Sequence, residues 1–399
     1  MSQMDRRQAL KLLAALGTTG LAAACGTDPD STSAEVLSDD PVRIGMIAPQ
    51  TGSYKPIGEE IVNGFQFYLE LNDQRLGGHP VNLVIADEGE TAQSGKAALD
   101  GLLKQNVLAL TGVANSAVMT GIREAVEQAR VPLIGSNASP SALQSVVYIW
   151  RTSYVNGESG QALGPYVASR VPRNGKVVII APQTDISRDV VEGFRTSFGP
   201  SDKRLSSTII WTSGDSNPGK SAYANNVNQL MGLNPDAVFS SHSDTAAVVF
   251  LKQLYASGYR KQVYGPGFLT EGTVLSQLKP QEADGILTSL NYSGDLNNAA
   301  NRQFSSAYRK AHGTPPTTYA MASYDAAQVL DKAIRLAGAR PTPQQLNLAL
   351  GKVGQIDSPR GPWQFNQSRT PQQKWYLRRA QLDGQVLSNV LIRELSTLG

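Results

Sequence analysis

The sequence predicts an α/β protein built from two doubly wound, Rossmann-like lobes joined by a three-segment hinge. The chain has 399 residues, 41% of them hydrophobic, which is material for more than one core at roughly 150 residues per domain. Short β-rich runs alternate with longer segments of helical period, in two successive series of similar spacing. Near the C-terminus the alternation breaks, as it does when a chain crosses back to its first lobe and returns to its second.

The elements follow in order. Residues 1–24 read as a signal peptide: Arg6, Arg7 and Lys11 form a basic start, and Leu12 to Ala24 is a short apolar run ending in small residues. Asp5-Arg6-Arg7-Gln8-Ala9-Leu10-Lys11 resembles a twin-arginine export signal, with Ala9 where a large apolar residue is usual, so the general secretory route stays open. Leu21-Ala22-Ala23-Ala24-Cys25 resembles a bacterial lipoprotein cleavage site. Cys25 is the only cysteine, which excludes internal disulfides, and its diacylation would anchor the chain at about 0.8 kcal/mol per buried CH₂. Residues 25–41 are then the lipidated cysteine and a flexible tether rich in Asp, Ser and Thr. The signal segment holds three of the 36 basic and one of the 33 acidic side chains. What remains is near neutral, with no basic stripe to neutralise phosphates, so nucleic acid is not an expected partner. No later stretch reaches the roughly 18 continuous apolar residues of a membrane span, and the body is expected to be soluble and monomeric.

Strands of the first series are expected at Val42 to Ile47, Val81 to Ile85, Val107 to Leu110 and Val131 to Ile134. Helices are expected near 57–75, 91–105 and 116–130, the last from apolar residues at Ile122, Ala125, Val126 and Ala129. The second series has strands at Lys176 to Ile180, Thr208 to Trp211, Ala237 to Phe239 and Val263-Tyr264, with helices near 157–171, 188–198, 220–232 and 244–257. Gly285 to Leu290 reads as a further strand, helices follow near 298–312 and 318–337, and Trp375 to Leu377 with Val386 to Val390 reads as a hairpin around Asp383-Gly384. The expected lobes are 42–152 plus 291–365 and 153–290 plus 366–399, with crossings near Arg151-Thr152-Ser153, Leu290-Asn291-Tyr292 and Phe365-Asn366.

Ligands of doubly wound sheets sit beyond the carboxyl ends of the strands. Two helix starts stand there in the first lobe, Thr111 to Ser116 and Gly135 to Pro140. Their hydroxyls and free N–H groups suit a carboxylate or similar acceptor, and Ser116 and Ser139 suit plain N-capping equally. Gly214-Asp215-Ser216-Asn217-Pro218-Gly219-Lys220-Ser221 satisfies the P-loop pattern. Pro218 removes a phosphate-facing N–H, and no apolar strand ending in Asp follows to hold Mg²⁺, so it reads as an ordinary loop before a helix. His79, His242 and His312 are the only histidines and show no metal-type spacing. No G-x-S-x-G elbow appears. Neither a catalytic group, a metal nor a cofactor is expected; His242, at a strand end, faces either the cleft or its rim.

Set in this order, the residues resemble type I periplasmic binding proteins, and within them the branched-chain amino acid (Leu/Ile/Val) group. The resemblance covers nearly all of residues 42–395. It rests on Ile44 to Gly52, Ile57-Gly58, Gly64, Leu76-Gly77-Gly78, Asp87, Val131 to Ile134, Ser323-Tyr324-Asp325-Ala326 and Pro359-Arg360-Gly361-Pro362 ahead of Phe365.

The resemblance implies a substrate-binding lipoprotein of an ABC importer, outside the cytoplasm, that captures a small solute by hinged lobe closure and docks on a membrane permease. The same fold also serves as a ligand-sensing or envelope-regulatory protein. Within the group the ligand carboxylate is held after the third and fourth strands, which carries over to Ser116, Asn137 and Ser139. The aromatic and acidic partners of the second lobe match Ile186, Ser243 and Gly267 here, a departure that leaves an α-ammonium without its usual carboxylate unless Asp185, Asp244 or Glu271 substitutes. An amide or aromatic acid is therefore an equal expectation to an amino acid. Tyr54, Tyr154 and Phe268 either line a more apolar pocket or belong to the core.

Overall fold

A computed structural model describes residues 37–399 apart from Gln144. The signal segment, Cys25 and nearly all of the tether lie outside the described residues. The first sheet has six strands, β1 (Val42–Ala48), β2 (Arg75–Leu76), β3 (His79–Asp87), β4 (Ala109–Gly112), β5 (Leu133–Gly135) and β6 (Ile149–Arg151). They lie in the order β2-β3-β1-β4-β5-β6, parallel except for the β2–β3 hairpin. Order reverses between β3 and β4 around β1, which is the switch point where such sheets open a crevice.

Helices α1 (Lys55–Leu71), α2 (Ala92–Leu103) and α3 (Ser116–Ala129) make the crossovers. The sequence places each start. Pro56 sits in the first turn of α1, where a missing N–H costs nothing. Thr91 caps α2 by accepting from Ser94 N at 3.1 Å, and Asn115 caps α3 by accepting from Ala117 N at 2.8 Å.

Beyond β6 the chain enters a second sheet through α4 (Asn156–Arg170). There β7 (Val177–Pro182), β8 (Leu205–Thr212), β9 (Ala237–Ser240), β10 (Gln262–Pro266) and β11 (Leu287–Leu290) are parallel, joined by α5 (Asp185–Phe198), α6 (Ala224–Gly232), α7 (Asp244–Ala256) and the short α8 (Pro280–Ala283). The chain then returns to the first sheet with α9 (Ala299–His312), α10 (Thr318–Ala337) and α11 (Pro343–Leu350). A β-carbon on Gly64 of α1 would overlap the Ala320 carbonyl of α10, so only glycine lets these helices lie so close. Ser323 of α10 ties the pair by donating to the Ile61 carbonyl at 2.6 Å.

Finally β12 (Gln364–Phe365) pairs with the start of β13 (Pro371–Asp383), which runs on antiparallel to β11, and β14 (Val386–Leu398) closes the edge. The second sheet is thus β12-β13-β11-β10-β9-β7-β8, with β14 on β13. The strand series, the helices to residue 337 and the hairpin around Asp383-Gly384 stand where the sequence puts them. β6 and α11 were not foreseen, because three and eight residues carry too little periodicity to register.

Arg360 joins the first passage between the sheets to β13 directly, and the second passage through Gln373. Its guanidinium pairs with Asp325 of α10 at 3.0 Å, both buried. It also donates to the carbonyls of Thr152 at 2.7 Å and Ser153 at 3.2 Å on the first passage, and to Gln373 Oε1 at 2.6 Å on β13. Asn291, on the second passage, donates to the same Gln373 oxygen at 2.8 Å. A planar fork with five donors can hold three backbone segments in one plane of contacts, which lysine cannot.

Candidate functional site

Between the carboxyl ends of the two sheets lies a cavity of about 410 Å³. Both sheets supply its walls from the loops that follow their strands. From the first come Ser53, Tyr54, Ala114 to Ala117, Asn137 and Ala138; from the second come Pro182, Thr184 to Ser187, Gly214 to Ser216, Ser241, Ser243, Asp244 and Phe268. Tyr154 and Asn156 of the first passage, and Tyr319 of α10, complete it. The two walls approach closely at one edge, where the Ser53 and Ser216 hydroxyls stand 3.0 Å apart.

Backbone shape at the end of β4 is unusual. Gly112 has φ 102° and Val113 φ 66°, a left-handed conformation that a β-branched residue adopts only under constraint, at about 1–3 kcal/mol. Val113 is held by its buried side chain and by N–H donation to Ile47 at 2.7 Å. The turn aims the amides of Ala114 and Asn115 at Glu88, which accepts both at 2.7 Å, one on each carboxylate oxygen. Burial pushes the Glu88 carboxyl up to about 8 against the pull of those two donors. These are the amides that a solute carboxylate would otherwise meet at the start of α3.

Of the residues expected to touch solute, Tyr54, Ser116, Asn137, Tyr154, Ile186 and Ser243 line the cavity. Two of the expected residues lie off the cavity wall. Ser139 is fully buried and does not line the cavity, where Ala138 does; its carbonyl accepts from Asn156 N at 3.0 Å. Gly267 lies in a 3-10 turn packed on Leu290, with its carbonyl accepting from Arg378 at 3.3 Å; the next residue, Phe268, reaches the cavity in its place. Each stands one residue from a residue that lines the cavity.

Ser116 Oγ accepts from the Asn156 amide at 3.4 Å. Asn137 donates to the Ala114 carbonyl at 2.8 Å, which fixes its amide against the α3 entrance. Tyr154 packs edge-on to Trp375, with centroids 5.1 Å apart, so it serves core and cavity at once.

The acidic candidates separate. Glu271 is committed: it pairs with Arg378 at 2.7 Å and accepts from Thr318 N at 3.0 Å. Asp185 lies at the exposed rim, as do Glu90 and Asp215. Asp244 lies inside. Its φ of 50° is left-handed, a conformation that Asp and Asn tolerate better than most residues. Burial raises its carboxyl to about 6, with the Ser243 hydroxyl opposing. Tyr54 is pushed up to about 12 by burial first, then by Asp244, Glu90 and Glu88; Tyr319 is raised by the same two causes, burial and then Asp244.

His242 turns away from the cavity. Its ring stacks on Phe250 at 4.4 Å, and its two nitrogens contact the hydroxyls of Thr212 at 3.0 Å and Ser240 at 2.9 Å. Burial lowers it to about 3, so it is neutral at physiological pH. The P-loop pattern does not fold as one: α6 begins at Ala224, beyond Lys220-Ser221, so no helix start faces the loop. Its first residues, Gly214 to Ser216, form cavity wall instead. Among the described residues no three His, Cys, Asp or Glu side chains converge to hold a metal ion, and no helix is long and apolar enough to cross a membrane.

Sequence and structure comparisons agree with this geometry. A family model described as periplasmic binding protein matches residues 41–385. A Leu/Ile/Val-binding protein homologue of Brucella suis is 24% identical over 358 residues, 87% of this chain and 90% of its own. An ABC-transporter solute-binding protein from R. palustris, solved in complex with benzoate, superposes with a TM-score of 0.81 at 26% identity, covering 90% of this chain and 97% of that one. A leucine-binding protein from Thermotoga maritima superposes with a TM-score of 0.79 at 18% identity, over 89% and 98% of the two chains.

Proposed function

Because the chain belongs to the periplasmic binding protein family, a family of extracytoplasmic solute-binding proteins of ABC transporters and not of enzymes, we propose that it captures a small amphipathic metabolite and delivers it to an importer. The observation that carries this reading is the 410 Å³ cavity whose walls come from both sheets. Such a volume suits one monocyclic or branched small molecule. A site split between two lobes binds by closure, and solute shifts the open–closed balance only by its greater affinity for the closed form. Lobe one offers Ser116, Asn137 and Tyr54; lobe two brings Ile186, Ser243, Asp244 and Phe268 over them. Docking on a permease, and anchoring through a lipidated Cys25, complete the proposed role.

A thermal-shift screen of amino acids, amides, amines and aromatic acids tests it. A true solute at about 100 times its dissociation constant adds roughly 2.7 kcal/mol to folded-state stability. Ser116→Ala is expected to weaken that solute about 3- to 10-fold, the worth of one hydrogen bond, while leaving the unliganded melting temperature unchanged. Equal affinity in both proteins removes Ser116 from the site.

A further inference from the structure

The charge of the cavity wall is one-sided. Glu90, Asp185, Asp215 and Asp244 line it, and no lysine, arginine or histidine does. An anion seated there meets four carboxylates and no basic side chain. Two of the amides leading into α3 are also taken, since Ala114 N and Asn115 N already donate to Glu88. The wall also carries a polar atom that points to a ligand. Ser241 is 2% exposed and lines the cavity, and its hydroxyl has no hydrogen-bond partner within the protein, which leaves it a bond to make with a bound group. Four aromatic side chains, Tyr54, Tyr154, Phe268 and Tyr319, line the same space, and ring faces attract cations as well as apolar groups. No metal-binding cluster exists among the described residues, so the cation such a wall favours is organic.

Resting on the solute-capture reading above, we propose that the solute is an organic monocation, an amine or quaternary ammonium with an apolar portion and no carboxylate, seated with its charge at Asp244 and its apolar part against the rings of Tyr54, Tyr154, Phe268 and Tyr319. This differs from a zwitterionic amino acid, whose carboxylate would face the four acids of the wall with two nearby amides already given to Glu88, and from an aromatic acid, whose charge has the wrong sign for the wall. Asp244 is the inner carboxylate free for this role, because Glu271 is paired with Arg378 and the other three lie at the rim.

Isothermal titration of the full-length chain with five probes that share one ring tests the assignment: benzylamine, trimethylbenzylammonium, benzyl alcohol, benzoate and phenylalanine. The cations are expected to bind at least about 10-fold more tightly than benzyl alcohol, with benzoate and phenylalanine weakest, and Asp244→Asn is expected to abolish that ranking by lowering cation affinity about 10-fold or more. Asparagine suits the left-handed backbone at this position, so the variant is expected to fold, and its unliganded melting temperature checks that it does. If benzoate or phenylalanine binds best, and Ser116→Ala weakens it, the cation assignment is overturned while solute capture stands. Cation binding unchanged by Asp244→Asn overturns the role of Asp244. No binding by any probe overturns the cation assignment, and no response in the wider thermal-shift screen overturns solute capture with it.

Discussion

Asp325→Asn isolates the charge at the junction of the two sheets. Asp325 Oδ2 accepts from Ser358 Oγ at 2.7 Å and Trp363 Nε1 at 2.9 Å and pairs with Arg360 at 3.0 Å. Its Oδ1 has no hydrogen-bond partner. Asparagine is nearly isosteric, so it can present its oxygen to the same donors and turn its NH₂ to the empty side, and the change is close to a pure loss of charge. Arg360 is then a buried guanidinium whose remaining acceptors, Thr152, Ser153 and Gln373, are neutral. Breaking a buried pair by removing one partner costs about 3–5 kcal/mol, against about 5–15 kcal/mol for a whole folded domain. Urea unfolding followed by tryptophan fluorescence measures it, with Trp363 reporting from beside the substitution. A second change, Arg360→Met, is expected to restore only part of the loss, because methionine removes the stranded charge but leaves the buried Thr152 carbonyl without the Arg360 donor, while the Ser153 carbonyl keeps Gln373. A loss below about 1 kcal/mol for Asp325→Asn refutes the reasoning, for it means that water or movement already solvates the guanidinium.

Two further substitutions test the frame around the site. Glu88→Gln is expected to destabilise the protein by about 1–3 kcal/mol at pH 5, since one of two buried amides loses a good acceptor, and to change its pH dependence so that the gap to wild type narrows as pH rises. The folded-state value of about 8 lies above the ordinary 4.5, so the wild-type contribution is fully present below about 4.5 and is lost as pH rises through about 8, at up to about 1.4 kcal/mol per unit; urea midpoints at pH 5, 6.5 and 8 should show that slope in wild type and not in the variant, and parallel curves would contradict it. Gly64→Ala drives a methyl group into the Ala320 carbonyl and is expected to cost about 1–3 kcal/mol by overpacking; an unchanged unfolding midpoint would show that α1 and α10 can part freely.

The fold was legible in the sequence because both of its periods are long and regular. Two series of apolar strand runs separated by helical stretches leave few other arrangements, and short marks such as Gly58, Gly64 and Pro359 to Pro362 sit where backbones meet or passages join. A β-carbon on Gly58 would overlap the Pro49 carbonyl, and Arg360 pins three segments at once. Side-chain direction at the site was less legible. A loop after a strand has no period to fix which neighbour faces inward, so Ser139 was named where Ala138 lines the wall, and Gly267 was named beside Phe268, which does. Tyr319 was missed because it belongs to a helix that returns from far along the chain, and helical period alone marks it as core. The acids were hardest. Among 33 acidic residues no local pattern separates Glu88, buried by a left-handed turn 25 residues further on, from Glu90 at the exposed rim.

Three helix starts converge on the cavity, and each already has an acidic side chain beside it. Glu88 accepts the amides leading into α3, and Asp185 and Asp244 occupy the first turns of α5 and α7. A helix N-terminus carries roughly half a positive charge, so three of them left bare would make this cleft a trap for anions. Burial keeps Glu88 largely protonated at neutral pH, so it takes up the α3 amides without adding charge; Asp185 and Asp244 bring negative charge to the other two starts, and the field left there favours a positive guest. The balance is unequal between lobes: Glu88 is buried beneath the first-lobe wall, while Asp244 opens into the cavity from the second. Solute polarity is therefore sensed mainly by the lobe that closes. A guest held only through Ser116, Asn137 and Tyr54 gains little from closure, whereas one that also reaches Asp244 binds the closed form better, and only that difference can shift the equilibrium between open and closed states.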